Sequence, residues 1–347
     1  MKNKLLLLLF SILSVSAFAQ DDLDQLLKGG KADANKLIEG YTSPFLKVFG
    51  YGLNQGWYNT AKNHKTLGID LTVSVSAVYV PNSDLFYTVN NSQLTTVKLE
   101  NTGTAPVNAT GSGNVPTLFG SPTTPTYRIV NGNAAFQGPG GSIDLKKELG
   151  VQALPVPIAN LGIGLPKGID LKFRFVPQID FGDGKFKLFG VGVMHDIKQY
   201  IPGVKSLPFD LAAFVGYTNM KLTVDLDAAN PDQQGVFETS ATTIQGLISK
   251  KVSVLTVYGG LGYNIANTKL GIKGAFDMDS NGSKETIDPV SVKADANGPR
   301  VTAGMRLKLA VLTIHGDYTI QKYSALTVGL GIAVRYKLDT GCSILDS

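Results

Sequence analysis

The chain has 347 residues, with 32 basic against 27 acidic side chains, a net charge of +5 and one cysteine. No basic block stands out, so nucleic acid is not an implied partner, and the lone Cys342 excludes an intrachain disulfide scaffold and a multi-cysteine metal site. An abundance of glycine, tyrosine and phenylalanine beside Thr, Ser and Asn is the makeup of a barrel that needs no disulfides.

Lys2 and Lys4 precede the apolar run Leu5 to Val15, and Ala17-Phe18-Ala19 puts small residues at the two positions a signal peptidase reads. The run is too short to cross a bilayer as a helix, and no second apolar stretch of about 20 residues follows. Residues 1–19 are therefore predicted to be a signal peptide, cut before Gln20, with no cysteine at the cut for a lipid anchor. Loss of Lys2 and Lys4 leaves 30 basic and 27 acidic residues, a net +3.

Residues 20–65 form a separate, plug-like helical segment. Leu23, Leu26 and Leu27, then Leu37 and Ile38, recur at helical spacing, which predicts two short helices broken at Gly29-Gly30. Tyr41 to Tyr58, rich in glycine and aromatics and carrying Pro44, fits neither a helix nor a strand. A segment placed here either enters a lumen or stays in the periplasm, and the sequence leaves both open.

From Gly68 to Tyr79 the chain alternates: Ile69, Leu71, Val73, Val75, Ala77 and Tyr79 on one face, Gly68, Asp70, Thr72, Ser74, Ser76 and Val78 on the other. The pattern returns at Leu326, Val328, Leu330, Ile332, Val334 and Tyr336. These runs are about twice the usual 5–6 residues and match the roughly 9–11 that cross a bilayer at a tilt. Further strands are predicted at 151–163, 168–180, 184–194, 207–224, 235–248, 251–264, 299–309, 311–321 and 325–336. Residues 81–148 are polar and loop-like, with strand-like pieces at Leu94 to Leu99 and Tyr127 to Val130 that extend the barrel or form a hairpin. With the first strand running outward, the joints at Gly164–Gly168, Lys250–Lys251 and Ala310 fall inside, and 81–148, 225–234 and 265–298 outside. The inner connection His195 to Pro208 is longer and is expected to hold a helical turn. Ten strands are readable, and hairpins within the longest loops would raise the count to about 12–14. The fold class is all-β: an antiparallel transmembrane β-barrel over residues 66–336, with a C-terminal tail at 337–347. Two soluble domains would leave such long strands unexplained.

Three patches, Gly56-Trp57-Tyr58-Asn59-Thr60-Ala61-Lys62, Leu165-Pro166-Lys167-Gly168-Ile169-Asp170-Leu171 and Gly192-Val193-Met194-His195-Asp196-Ile197 with Tyr200-Ile201-Pro202, together resemble a family of unknown function of Gram-negative exported outer-membrane β-barrel proteins. The resemblance covers nearly the whole mature chain and brings no functional residues with it. A looser, architectural likeness is to FadL-type hydrophobic-compound channels, which place an N-terminal plug ahead of the barrel; their Asn-Pro-Ala plug signature is absent here. That likeness implies a fatty-acid-like solute by analogy alone.

Asp277, Asp279, Asn281 and Asp288 stand at positions 1, 3, 5 and 12 of a run with Gly282 at position 6, the oxygen-ligand spacing of a calcium loop. Asp at position 12 and Lys284 at position 8 depart from that pattern, and a polar outer loop rich in turn residues explains it as well. Ca2+ is thus the one cofactor to test. His64, His195 and His315 are dispersed without ligand spacing. His315 and Asp317 share an inward strand face, yet no sequence feature nominates a serine beside His315, so the chain reads as a non-enzyme. Asp70, Asp170, Lys172, Arg174, Asp210, Arg306, Lys308, His315, Asp317 and Arg335 are expected to line the lumen, since Arg or Lys facing mid-bilayer would cost roughly 2–4 kcal/mol each. They either form ion-pair ladders that fill the barrel or act as a solute filter. Tyr79, Tyr217, Tyr263, Tyr318 and Tyr336 fall on the oily faces as candidates for an aromatic girdle. The expected setting is the cell outer membrane, the expected partners its lipid and a small solute. The expected function is a passive or gated channel for that solute, hydrophobic compounds included. The alternative is a non-transporting barrel with a surface-binding, adhesive or envelope-structural role.

Overall fold

The structure is a computed structural model describing residues 30–130, 134–204, 206–226, 230, 232–276 and 286–335. Its main sheet is a ring. Strands β1 (Gly68–Tyr79), β7 (Ala153–Leu165), β8 (Ile169–Phe181), β9 (Gly184–Asp196), β10 (Asp210–Asp225), β11 (Gln234–Val252), β12 (Leu255–Lys273), β16 (Gly298–Leu309), β17 (Leu312–Ile320) and β18 (Ala325–Arg335) pair antiparallel in that order, and β18 closes on β1. Short β15 (Val290–Asp295) continues the line of β16 along the far end of β12. Closure matters because an open edge would leave N–H and C=O groups unpaired in hydrocarbon.

The ten strands readable in the sequence are the ten of the ring. The expected rise to 12–14 does not occur among the described residues. The strands of the long loops pair with one another instead: β2 (Phe86–Asn90) with β4 (Ser112–Pro116), β3 (Val97–Asn101) with β5 (Thr126–Ile129) and β6 (Ala135–Gln137), and β13 (Ala275–Phe276) with β14 (Thr286–Ile287). At two to five residues they are too short to cross a bilayer. Strand β12 runs nine residues beyond its predicted end. Short turns through Lys167-Gly168, Ser253 and Ala310, all at positive φ, mark the inner end, and the inner connection after β9 holds a 3-10 turn at Lys198–Tyr200.

Along the wall, burial reverses the order of a soluble protein. On β1, Leu71 is 53% exposed while Ser74 is 1% exposed, and Ile69 and Val73 are exposed beside buried Asp70 and Thr72. Leu326, Val328, Leu330 and Ile332 are exposed on β18, and Val257, Leu261 and Ile265 on β12. Apolar side chains on this scale face outward only where the surroundings are lipid. Tyr217, Tyr263 and Tyr318 lie exposed on these faces and Tyr79 is half-buried; Tyr336 lies outside the described residues.

Toward the outer end the phase inverts. Phe186 and Leu188 on β9, Leu222 on β10, Phe237 on β11 and Leu270 and Ile272 on β12 belong to the apolar core, while Lys185, Lys187, Lys269 and Lys273 on the same strands are exposed. The strands therefore pass out of the lipid and continue as the wall of a water-surrounded cup.

Helix α1 (Lys31–Gly52) fills that cup. It starts directly after Gly30, where the second of the two expected helices begins, and runs on to Gly52 through a stretch after Tyr41 expected to be irregular; the first expected helix, with Leu23, Leu26 and Leu27, lies outside the described residues. Pro44 costs a helix interior about 3 kcal/mol. Burial of Leu46, Val48, Phe49 and Tyr51, at about 1.5–3 kcal/mol per large apolar side chain, exceeds that cost. Phe45 and Phe49 meet Phe237 with ring centroids 5.7 and 5.0 Å apart. Gly50 and Gly52 allow the approach, since a Cβ on either would come within 2.6 Å of Ala296 or 2.7 Å of Val156.

The loop strands roof the cup. Asp33 on α1 accepts hydrogen bonds from the backbone N–H groups of Thr95, Thr96 and Val97 at 2.8, 2.7 and 3.3 Å. Burial pushes its carboxyl up, but these bonds and the Thr96 hydroxyl outweigh burial and hold it below its usual range. Asp84 follows the same logic: the hydroxyls of Tyr323 and Ser83, with Lys47 and Lys322, overcome burial and keep it low. A second short helix, α2 (Leu145–Leu149), leads into β7.

Candidate functional site

Below α1 the chain continues as residues 53–67 through the polar half of the lumen to the inner end, where the Leu67 N–H bonds to the Gly164 carbonyl and β1 begins. Two buried arginines hold its upper part. Arg174 on β8 donates to the carbonyls of Leu53 and Gln55, both at 2.5 Å, to Asn160 at 2.6 Å and to Thr218 at 3.1 Å. Its guanidinium lies 3.5 Å from the Trp57 ring centroid. Arg300 on β16 donates to the Asn54 carbonyl at 2.7 Å and to Gln55 Oε1 at 2.8 Å. A planar fork of donors suits this work, since irregular backbone within a barrel needs its carbonyls satisfied.

Further down, Tyr58 donates to Gln245 Oε1 at 2.6 Å, Asn59 Oδ1 accepts from Arg306 at 2.9 Å, and the Ala61 N–H bonds to Ser249 at 3.0 Å. His64 ends the series between two carboxylates, its Nδ1 2.8 Å from Asp170 and its Nε2 3.3 Å from Asp70. Lys172 lies 4.0 Å from Asp70.

Of the residues expected to line the lumen, Asp70, Asp170, Lys172, Arg174, His315 and Asp317 are buried inward, and Asp210, Arg306 and Lys308 are half-buried. Arg335 ends β18, and its side chain lies outside the described residues. The charges do not form one ladder: Asp70 and Asp170 meet His64 and Lys172, while Arg174 and Arg306 bond the threaded segment and Asp317 accepts from Tyr258 at 2.8 Å. His195 faces outward near Tyr200, its Nε2 3.1 Å from that hydroxyl.

Sequence reasoning missed Arg300, which stands in an irregular Gly-Pro-Arg entry to its strand, and missed His64 as the meeting point of two carboxylates. It also missed the serine beside His315. A Cβ placed on Gly329 would lie 2.7 Å from His315 Nε2 and 2.9 Å from Ser74 Cβ, so Ser74 and His315 flank this glycine. Ser74 and His315 are 241 positions apart, and only the closure of β18 on β1 brings them together. The ring order itself was the one available signal.

The calcium-loop positions Asp277, Asp279 and Asn281 lie outside the described residues. Asp288 sits at φ 48°, and its carboxylate accepts from the Gly274 N–H at 2.9 Å.

No curated protein matches the chain. Among solved structures it is similar to Ail, the attachment invasion locus protein of Yersinia pestis, at 6% identity over 78% of this chain and 99% of that one, TM-score 0.28. It is similar to the translocator domain of the autotransporter NalP of Neisseria meningitidis, at 10% identity over 84% and 94%, TM-score 0.29. The outer membrane protease OmpT of Escherichia coli gives 6% identity over 81% and 99%, TM-score 0.33. Likenesses this distant carry no activity across. The three patches that mark a family, now placed on the threaded segment and two adjoining inner joints, agree with a match over residues 1–334, and the chain belongs to the family of unknown function DUF6588.

Proposed function

We propose that this protein is an integral barrel of the outer membrane that is held closed by its own N-terminal segment and works at the cell surface through its roofed outer end, as a surface-binding or envelope-structural protein. The observation that carries this reading is the threaded segment. Its backbone carbonyls at Leu53, Asn54 and Gln55 are bonded by Arg174 and Arg300, and bonds of this charged kind contribute about 1.5–3 kcal/mol each. The loop strands add support: Val89, Val97, Leu99, Val115 and Tyr127 build them into one core with α1, an investment that a bare pore does not need.

A second reading, a gated channel for a small solute, hydrophobic compounds included, is favoured by the density of polar and charged groups on the inner wall. It requires the segment to leave. Purified protein in a planar bilayer separates the two: the closed-barrel reading expects silence from the full chain and conductance after deletion of residues 21–60. Steady conductance or solute uptake by the intact chain would favour the channel. Fractionation with outer membranes, together with heat-modifiable gel mobility, tests the location.

A further inference from the structure

Register places a set of polar side chains on one inward row of the wall. Ser74 on β1 is opposite Gly329 on β18, Gly329 is opposite His315 on β17, His315 is opposite Arg306 on β16, and Arg306 is opposite Thr256 on β12. Four adjacent intervals of about 4.8 Å therefore carry a hydroxyl, a glycine, an imidazole, a guanidinium and a second hydroxyl. Ser74, His315 and Thr256 are at most 3% exposed.

These groups share a second property. Ser74 Oγ, both ring nitrogens of His315, Arg306 Nε and Thr256 Oγ1 are buried without a hydrogen-bond partner in the protein. An unpaired buried polar atom costs about 1–3 kcal/mol, so five such atoms on one row call for a common explanation. Arg306 uses one Nη on Asn59 of the threaded segment and leaves its Nε without a partner. Among the described residues, no carboxylate lies within 4.0 Å of Arg306 or of Lys308, the next inward position on β16.

The row is rich in donors and its cation lacks an ion pair, which is the chemistry that takes an oxygen anion. Arg306 stands four residues before the turn at Ala310, about 13 Å of strand from the inner end, and is half-buried. We infer that Ser74, His315 and Arg306, with Thr256 beside them, form a binding site for a small oxyanion of the phosphate or sulfate kind inside the barrel. Gly329 lets the imidazole lie against the strand beside Ser74: a Cβ there would come within 2.2 Å of the His315 ring and 2.9 Å of Ser74 Cβ.

The test uses the full chain folded in detergent, with inorganic phosphate and sulfate as probes and chloride at equal ionic strength as the control. The expected result is a saturable rise of the thermal unfolding midpoint with phosphate or sulfate and broadening of the phosphate 31P resonance. Arg306→Gln, which keeps a donor for Asn59, should weaken binding about tenfold or more, and Ser74→Ala more mildly. Gel mobility before heating reports whether each variant folds; should Arg306→Gln fail, Ser74→Ala and His315→Gln carry the comparison. Absence of saturation in the wild type, or equal responses of the wild type and the folded variants, would leave the row as a chamber for water and overturn the assignment.

Discussion

Replacing Arg174 by Met keeps most of the side-chain volume and removes every donor. Leu53 and Gln55 then lose a charged partner for their carbonyls, Asn160 Oδ1 loses a donor at 2.6 Å, and Trp57 loses a cation 3.5 Å above its ring. Charged hydrogen bonds of about 1.5–3 kcal/mol and a desolvated cation–π contact of about 2 sum to more than is realised, since neighbours relax and such contributions are not additive. A loss of about 5 kcal/mol is a fair central figure, which raises the undocked population of residues 53–64 roughly 10³- to 10⁴-fold. The loss falls chiefly on the threaded segment, with Asn160 of β7 and Thr218 of β10 each losing one side-chain partner. The strand ladder of β8 with β7 and β9 does not use this side chain. Hydrogen exchange read by mass spectrometry should show residues 53–64 losing protection while the strands and the heat-modifiable mobility stay as in the wild type. Unchanged protection of that segment would refute the claim that Arg174 holds it.

Leu330→Arg, on the outward face of β18, should cost about 2–4 kcal/mol in folding into lipid vesicles if it faces mid-bilayer; a yield equal to wild type would argue against a lipid-facing wall. Gly216→Val should displace the Trp57 ring, since a Cβ there would come within 2.8 Å of it; a loss of about 1–3 kcal/mol, as for other overpacked sites, is expected as increased solvent exposure in Trp fluorescence. Asp33 and Asp84 have folded-state pKa values below their ordinary ones. The stability they give the outer roof is therefore present at neutral pH and is lost as the pH falls below about 4. Limited proteolysis should cut residues 81–148 faster at pH 3.5 than at pH 7 with an acid-active protease calibrated at both, and Asp33→Asn should reduce that difference; an equal acid response in the variant would show that Asp33 is not responsible.

The wall of this protein was written in the sequence because a strand's two-residue period makes each face visible as text: Ile69, Leu71 and Val73 against Asp70, Thr72 and Ser74 declare one greasy and one wet side without reference to any other strand. The same local rule located the ten long strands and their short inner turns. It found helical spacing at Leu37 and Ile38 but failed for the half of α1 after Tyr41, where Pro44 and nearby glycines argue against a helix that enclosure by the cup enforces. It failed again for the loop strands, whose local pattern does not say whether they join the ring or pair among themselves. The lumen was legible only as a set of inward charges. Which of them meet was decided by closure of β18 on β1 and by the threading of residues 53–67, because contacts such as Ser74 with Gly329 of β18, or Arg174 with the carbonyls of Leu53 and Gln55, join residues more than a hundred positions apart and have no local trace.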